Sequence, residues 1–153
     1  MGLEIGDAAP ADRLTTDQGE AATLRDHTGR KVVVFFYPKA MTPGCTAEAC
    51  GFRDNYGQFQ EAGFEIVGVS PDPPSDNAAF RQRDDLPFDL LSDPDHSVAG
   101  QLGAWGIKKN YGKEYEGLIR STFVLDESGV ITHAWRNVRA KGHVERVAKE
   151  LLD

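Results

Sequence analysis

Two apolar runs, Val32-Val33-Val34-Phe35-Phe36 and Phe64-Glu65-Ile66-Val67-Gly68-Val69-Ser70, constrain this chain more than any other feature. Both are short and rich in β-branched or aromatic residues, and the first, closed by Pro38, has the continuous apolar character of a strand buried on both faces. Between them a helix is expected from residue 43 to about 61. Thr42 is a suitable N-cap and Pro43 suits the first helical position, where its missing N–H costs nothing. Ala49, Phe52, Tyr56 and Phe59 give that helix an apolar face, Gly57 is its expected weak point and Gly63 closes it. Strand, helix and strand in about forty residues make a right-handed βαβ unit with parallel strands. The turn after the first strand then lies at the carboxyl edge of the sheet, where open α/β folds build their sites.

Before this unit, residues 1 to 30 are polar and turn-rich and are read as a small β-hairpin covering one end of the domain. After it, Pro71-Asp72-Pro73-Pro74 is a stiff loop, and Ser75 is read as the cap of a helix reaching about Arg83 and anchored by Phe80. Leu86 to Leu91 is read as an edge strand, because Pro87 cannot donate to a ladder. A short helix from Asp93-Pro94 carries Val98, Ala99 and Leu102, and Gly103 ends it. Residues 105 to 117 lack periodicity and are read as a surface loop, with Lys108-Lys109 as solvated charges. Leu118 to Leu125 and Val130 to Trp135, joined at Asp126-Glu127-Ser128-Gly129, form an antiparallel hairpin. A last helix, about 141 to 152, buries Val144, Val147, Ala148 and Leu151. The expected architecture is α/β, one domain over 1–153, with a mixed sheet carrying helices on both faces.

The net charge of −7 opposes nonspecific binding to nucleic acid or to acidic lipid, and no apolar run approaches the length of a membrane span. With no basic leader or apolar signal core at its start, the chain is expected in the cytoplasm. In that compartment its two cysteines, Cys45 and Cys50, point to catalysis, redox chemistry or metal binding rather than to a structural disulfide.

Cys45 falls in the first turn of the predicted helix, where unpaired N–H groups and the partial positive charge favour a thiolate, the reactive form of the side chain. Cys50, five residues on, lies about 140° around an ideal helix, with a Cα separation of roughly 8.6 Å. A disulfide needs about 7 Å or less, so bonding these two cysteines requires the first turns to unwind. By position alone Cys50 is equally well a small buried side chain.

The segment Pro38-Lys39-Ala40-Met41-Thr42-Pro43-Gly44-Cys45 contains the pattern Pro-x-x-x-Thr-x-x-Cys, and Cys50 follows in Cys-Thr-Ala-Glu-Ala-Cys-Gly-Phe-Arg-Asp. With Arg120-Ser121-Thr122-Phe123-Val124-Leu125 downstream, and Trp105, Gly106 and Tyr111 between, the chain resembles the peroxiredoxins of the Q, or bacterioferritin-comigratory, type. The resemblance runs from about Leu3 to the C-terminus, and Ala40 departs from it where many relatives carry Asp or Asn. It implies a thioredoxin-like fold and reduction of hydrogen peroxide and organic hydroperoxides by Cys45. It further implies that Cys50 resolves the product as an intramolecular disulfide, that thioredoxin or a similar dithiol protein restores the thiols, and that the protein is a monomer needing no cofactor or metal.

Strand pairing in such a fold brings Arg120 beside Cys45, where a permanently charged guanidinium stabilises first a thiolate and then the leaving oxyanion. Thr42 offers a hydroxyl that can accept the peroxide proton and donate to sulfur, besides its reading as a helix cap. Pro38 is implied to shield the thiolate, besides ending a strand. Glu48 is read either as orienting a neighbouring arginine or as complementing the helix dipole. Three further readings stand beside the peroxidase. The first is a thiol redox sensor acting through a protein partner. The second is a metal site formed by the cysteines with His96, His133 or His143, against which the ligand spacing argues, each histidine being more simply a surface residue. The third is a thioredoxin-type oxidoreductase, against which the absent Cys-x-x-Cys argues. No phosphate-binding glycine loop or nucleotide fingerprint is present, so electrons enter through the thiols.

Overall fold

A computed structural model describes residues 2–26, 29–110 and 112–152. Tyr111, one of the residues carrying the family resemblance, lies outside the described residues. In chain order the elements are β1 (Leu14–Thr16), β2 (Ala21–Ala22), β3 (Lys31–Phe36), α1 (Pro43–Asp54), α2 (Tyr56–Glu61), β4 (Phe64–Ser70) and α3 (Pro74–Asp84). They continue with β5 (Leu90–Ser92), α4 (Ser97–Gln101), β6 (Trp105–Asn110), β7 (Lys113–Leu118), β8 (Ser121–Leu125), β9 (Ile131–Trp135) and α5 (His143–Leu152).

Seven strands form one mixed sheet in the order β2-β1-β5-β4-β3-β8-β9, and β6 and β7 pair separately. The βαβ unit is as expected: β3 and β4 run parallel, from Lys31 opposite Phe64 to Phe36 opposite Val69. Alternation along β3 divides the core. Val32, Val34 and Phe36 face α4 and the N-terminal segment, with Val67, Phe123 and Leu102. Val33, Phe35 and Tyr37 face the other layer, with Phe52, Phe59, Phe80, Val144 and Val147 from α1, α2, α3 and α5. Cys45 is buried in this second cluster. Phe35 stacks on Phe52 at a centroid distance of 4.9 Å, fixing the base of α1 against the central strand.

Several local expectations give way to specific causes. The single helix over 43 to 61 is two, and the break is at Asn55 rather than at Gly57. The Asn55 side chain donates to the Gly51 carbonyl at 2.8 Å, capping the end of α1 with a side chain that competes with helix continuation. Pro73, not Ser75, stands before α3, and Pro74 opens it with φ preset and no N–H to satisfy. The strand expected over 86 to 91 is β5; it begins after Pro87 and lies inside the sheet between β1 and β4. The N-terminal hairpin exists, and it extends the sheet through β1 rather than covering an end.

Residues 105 to 117 are a hairpin and not a loop. Much of it is exposed on both sides, so no apolar alternation marks its strands. Leu118 ends β7 rather than beginning β8.

Candidate active site

The chain leaves β3 at Tyr37 and reaches α1 through a short turn in which Met41 has φ 67° and Pro38 is half-buried. The amide of Ala40 donates to Asp72 Oδ2 at 2.7 Å, so the loop after β4 pins the turn after β3. Thr42 occupies the N-cap position in extended conformation, followed by Pro43. Its hydroxyl donates to the Lys39 carbonyl at 2.7 Å and makes no capping bond, which corrects the expectation of a side-chain cap. With its proton committed to that carbonyl, the Thr42 oxygen retains lone pairs to accept a further hydrogen bond.

Cys45 lies in the first turn of α1, fully buried, and Arg120 Nη2 donates to its Sγ at 3.4 Å. The two residues are 75 positions apart, and the antiparallel pairing of β3 with β8, which ends at Phe36 opposite Ser121, delivers Arg120 to the carboxyl edge of the sheet. Gly44 makes the close approach possible. A Cβ there would lie 3.3 Å from Arg120 Nη2 and 3.7 Å from Ala140 Cβ. A helix N-terminus and a guanidinium therefore converge on one sulfur, an arrangement that stabilises negative charge on it.

Behind the arginine is a network the sequence reading found only in part. Arg120 Nη1 donates to Glu48 Oε1 at 2.6 Å. Glu48 is fully buried, and its Oε2 lies 3.9 Å from Nε2 of His143, a ring that is itself buried and 2.7 Å from the Thr122 hydroxyl. His143 is thus a core residue, which corrects its reading as a surface histidine. Burial raises the Glu48 carboxyl to about 7, outweighing the pull of Arg120, and lowers His143 to about 4, with Arg146 and Arg120 adding to the effect.

These two shifts act on stability with opposite sign. The Glu48 contribution is complete below the ordinary carboxyl value of 4.5 and is lost as pH rises through about 7. The His143 contribution is complete above the ordinary 6.5 and is lost as pH falls through about 4. In the wild type the slopes oppose each other between these limits. Glu48→Gln should expose the histidine, with stability rising by up to roughly 3 kcal/mol from about pH 4.5 to 6.5. His143→Gln should show the reverse slope. Urea midpoints measured across that range check both, and parallel curves for all three proteins would refute the assignment.

Cys50 is on the same helix, half-buried and outside the core cluster, and both cysteines are free thiols. Burial pushes the Cys50 thiol up, and the charge of Arg53 acts against that rise. The intact α1 holds the two sulfurs on one continuous helix, so a bond between them needs the first turns to open. The exposed start of this helix is held from α3 by Arg83, which donates to Thr46 Oγ1 at 2.8 Å.

Of the remaining described histidines, His96 stacks on Trp105 and His133 on Trp135. Among the described residues no group of three or more His, Cys, Asp or Glu side chains is placed to hold a metal ion. No described helix is long and apolar enough to cross a membrane. The sequence reading missed Asp72, Thr122 and His143, which meet the site only through tertiary packing. It also took Lys108 for a solvated charge, whereas this side chain is half-buried on β6 and feels the charges of Arg120 and Cys45.

Comparison with known proteins adds an independent line. The model of the AhpC/TSA family matches residues 5–134. A putative peroxiredoxin of Mycobacterium tuberculosis is 52% identical over 149 residues, covering 97% of this chain and 95% of the relative. Peroxiredoxin Bcp of Bacillus subtilis is 46% identical over 153 residues, all of this chain and 98% of the relative. Among solved structures, peroxiredoxin Q of Xanthomonas campestris superposes with a TM-score of 0.88 at 37% identity, covering 97% of this chain and 94% of the other. Another Xanthomonas campestris structure, with TM-score 0.87 and 36% identity over 95% of this chain and 97% of the other, comes from work on the alkyl peroxide reduction activity of its bacterioferritin comigratory protein.

Proposed function

We propose that this chain, which belongs to the AhpC/TSA family and is a peroxiredoxin of the Bcp, or Q, type with the thioredoxin-like fold, carries its peroxidase chemistry on Cys45. The observation that carries the assignment is the Arg120 guanidinium 3.4 Å from the Cys45 sulfur at the start of α1. The Cys45 thiolate attacks one oxygen of a hydroperoxide, the O–O bond breaks, and the other oxygen leaves as hydroxide or alkoxide and takes up a proton. Sulfur is oxidised to the sulfenic acid while the peroxide is reduced to water or an alcohol. Arg120 faces the charge as it moves from sulfur to the leaving oxygen. Thr42 supplies an oxygen that can accept the peroxide proton, and half-buried Pro38 limits access of water to the turn.

The sulfenic acid then condenses with the Cys50 thiol, releasing water and forming an intramolecular disulfide once the first turns of α1 open. An external dithiol protein, of which thioredoxin is the natural candidate, reduces it by exchange and is itself oxidised. Hydrogen peroxide and alkyl hydroperoxides are the substrates of this scheme, in a monomeric, single-domain cytoplasmic enzyme. A resolving thiol within the same chain supports the monomer, because no second subunit is needed to complete the cycle.

Cys50→Ser tests the resolving step. With thioredoxin, its reductase and NADPH, the wild type should turn over repeatedly, whereas the variant should consume about one equivalent of peroxide and stall with one added oxygen in its mass. Wild-type turnover by the variant, or a disulfide-linked dimer as the main product of the native protein, would remove Cys50 from the mechanism.

A further inference from the structure

The β6–β7 hairpin carries a cation that the peroxidase cycle leaves unused. Lys108 stands opposite Tyr115, and the neighbouring pair on the same side of the ribbon is Gly106 opposite Gly117. The two glycines let the Lys108 stem, the Tyr115 ring and Ile119 lie directly against that side of the ribbon. A Cβ on Gly117 would sit 3.4 Å from the Lys108 stem, and one on Gly106 would sit 3.3 Å from Ile119 Cδ1. The Lys108 ammonium lies 5.9 Å from the centre of the Tyr115 ring. Lys108 also borders a cavity of about 480 Å³ whose apolar walls are Ile107 and Ile119, the latter joined directly to Arg120.

The electrostatics of this lysine are unusual. Its neighbour Lys109 pairs with Glu114 at 3.7 Å, but Lys108 has no ion pair among the described residues. Burial, and then the charge of Arg120, lower its affinity for a proton, while the Cys45 sulfur acts in the opposite sense. Two cations therefore bear on the Cys45 sulfur, and the carboxylate that answers Arg120 is the buried Glu48. An unpaired, half-desolvated cation in the field of another is relieved by an anion, and an apolar wall beside it suits an organic one.

Resting on the reading of Cys45 as the peroxide-reducing residue, we propose that Lys108 is a specificity-determining residue that binds the carboxylate of an anionic organic hydroperoxide, with the carbon skeleton lying against Ile119. The peroxide end of such a substrate meets Cys45 and Arg120 while its charged end meets Lys108. The reaction is the one already described, and the carboxylate takes no part in bond making or breaking.

Cumene hydroperoxide and its para-carboxylate analogue share one reacting group and differ by one charge. Their second-order rates of Cys45 oxidation should be measured for wild type, Lys108→Gln and Lys108→Arg, with hydrogen peroxide as a third substrate. At low ionic strength the wild type should favour the carboxylate by about five- to tenfold, as expected for one charge pair at a partly solvated distance. The preference should shrink with added salt, fall to near unity in Lys108→Gln and persist in Lys108→Arg. An equal carboxylate-to-neutral ratio in wild type and Lys108→Gln would overturn the proposal. So would an equal slowing of all three substrates in Lys108→Gln, which would mean that the lysine acts on the sulfur alone. A wild type inert toward hydrogen peroxide would bring down the Cys45 reading itself, an outcome the third substrate makes separately visible.

Discussion

Cys45→Ser is expected to remove peroxide turnover altogether, a loss of at least about a thousandfold, while leaving the folded protein in place. The hydroxyl that replaces the thiol does not ionise near neutral pH and is a weak nucleophile without an adjacent base, and among the described residues no histidine hydrogen-bonds to this position to supply one. Arg120 worsens the prospect for serine, since a guanidinium can donate a hydrogen bond but cannot accept a proton. The substitution is nearly isosteric, and the new hydroxyl retains Arg120 as a partner, so its folded spectrum and melting temperature should stay close to those of the wild type. Peroxide consumption with thioredoxin, reductase and NADPH is the measurement. If Cys45→Ser still turned over, Cys50 or another group would be the nucleophile, and the convergence of helix terminus and arginine on Cys45 would need a different explanation.

The parts of this arrangement that were legible in the sequence are those built from neighbouring residues. The run Val32 to Phe36 alternates between two buried layers, so its composition alone announces an interior strand, and Thr42-Pro43 marks the helix start that places Cys45. The parts that were not legible depend on contacts between distant residues. Glu48 and Arg120 are 72 positions apart, and His143 reaches Thr122 only because α5 packs against the layer that holds Cys45. An isolated histidine at the start of an amphipathic helix gives no sign that its ring is buried. The β6–β7 ribbon escaped notice for a related reason: strands are recognised by the face they bury, and this ribbon buries little. Arg120 was placed beside Cys45 through family resemblance, not through any pattern in its own surroundings.

Arg120→Gln should lower the rate of Cys45 oxidation by about a hundred- to a thousandfold, the range for removing one preorganised donor from a developing oxyanion. Glutamine keeps a neutral donor near the sulfur and removes the charge, so the loss measures the electrostatic part of the interaction. The substitution also strips Glu48 of its partner at 2.6 Å. A buried carboxylate without a counter-ion is costly and takes up a proton instead, so Arg120→Gln should lose stability mainly at alkaline pH. Adding Glu48→Gln to it removes the buried acid and should recover that stability without recovering the rate. A double variant that regained both would show that Arg120 serves to neutralise Glu48, and that peroxide reduction at Cys45 does not depend on its charge.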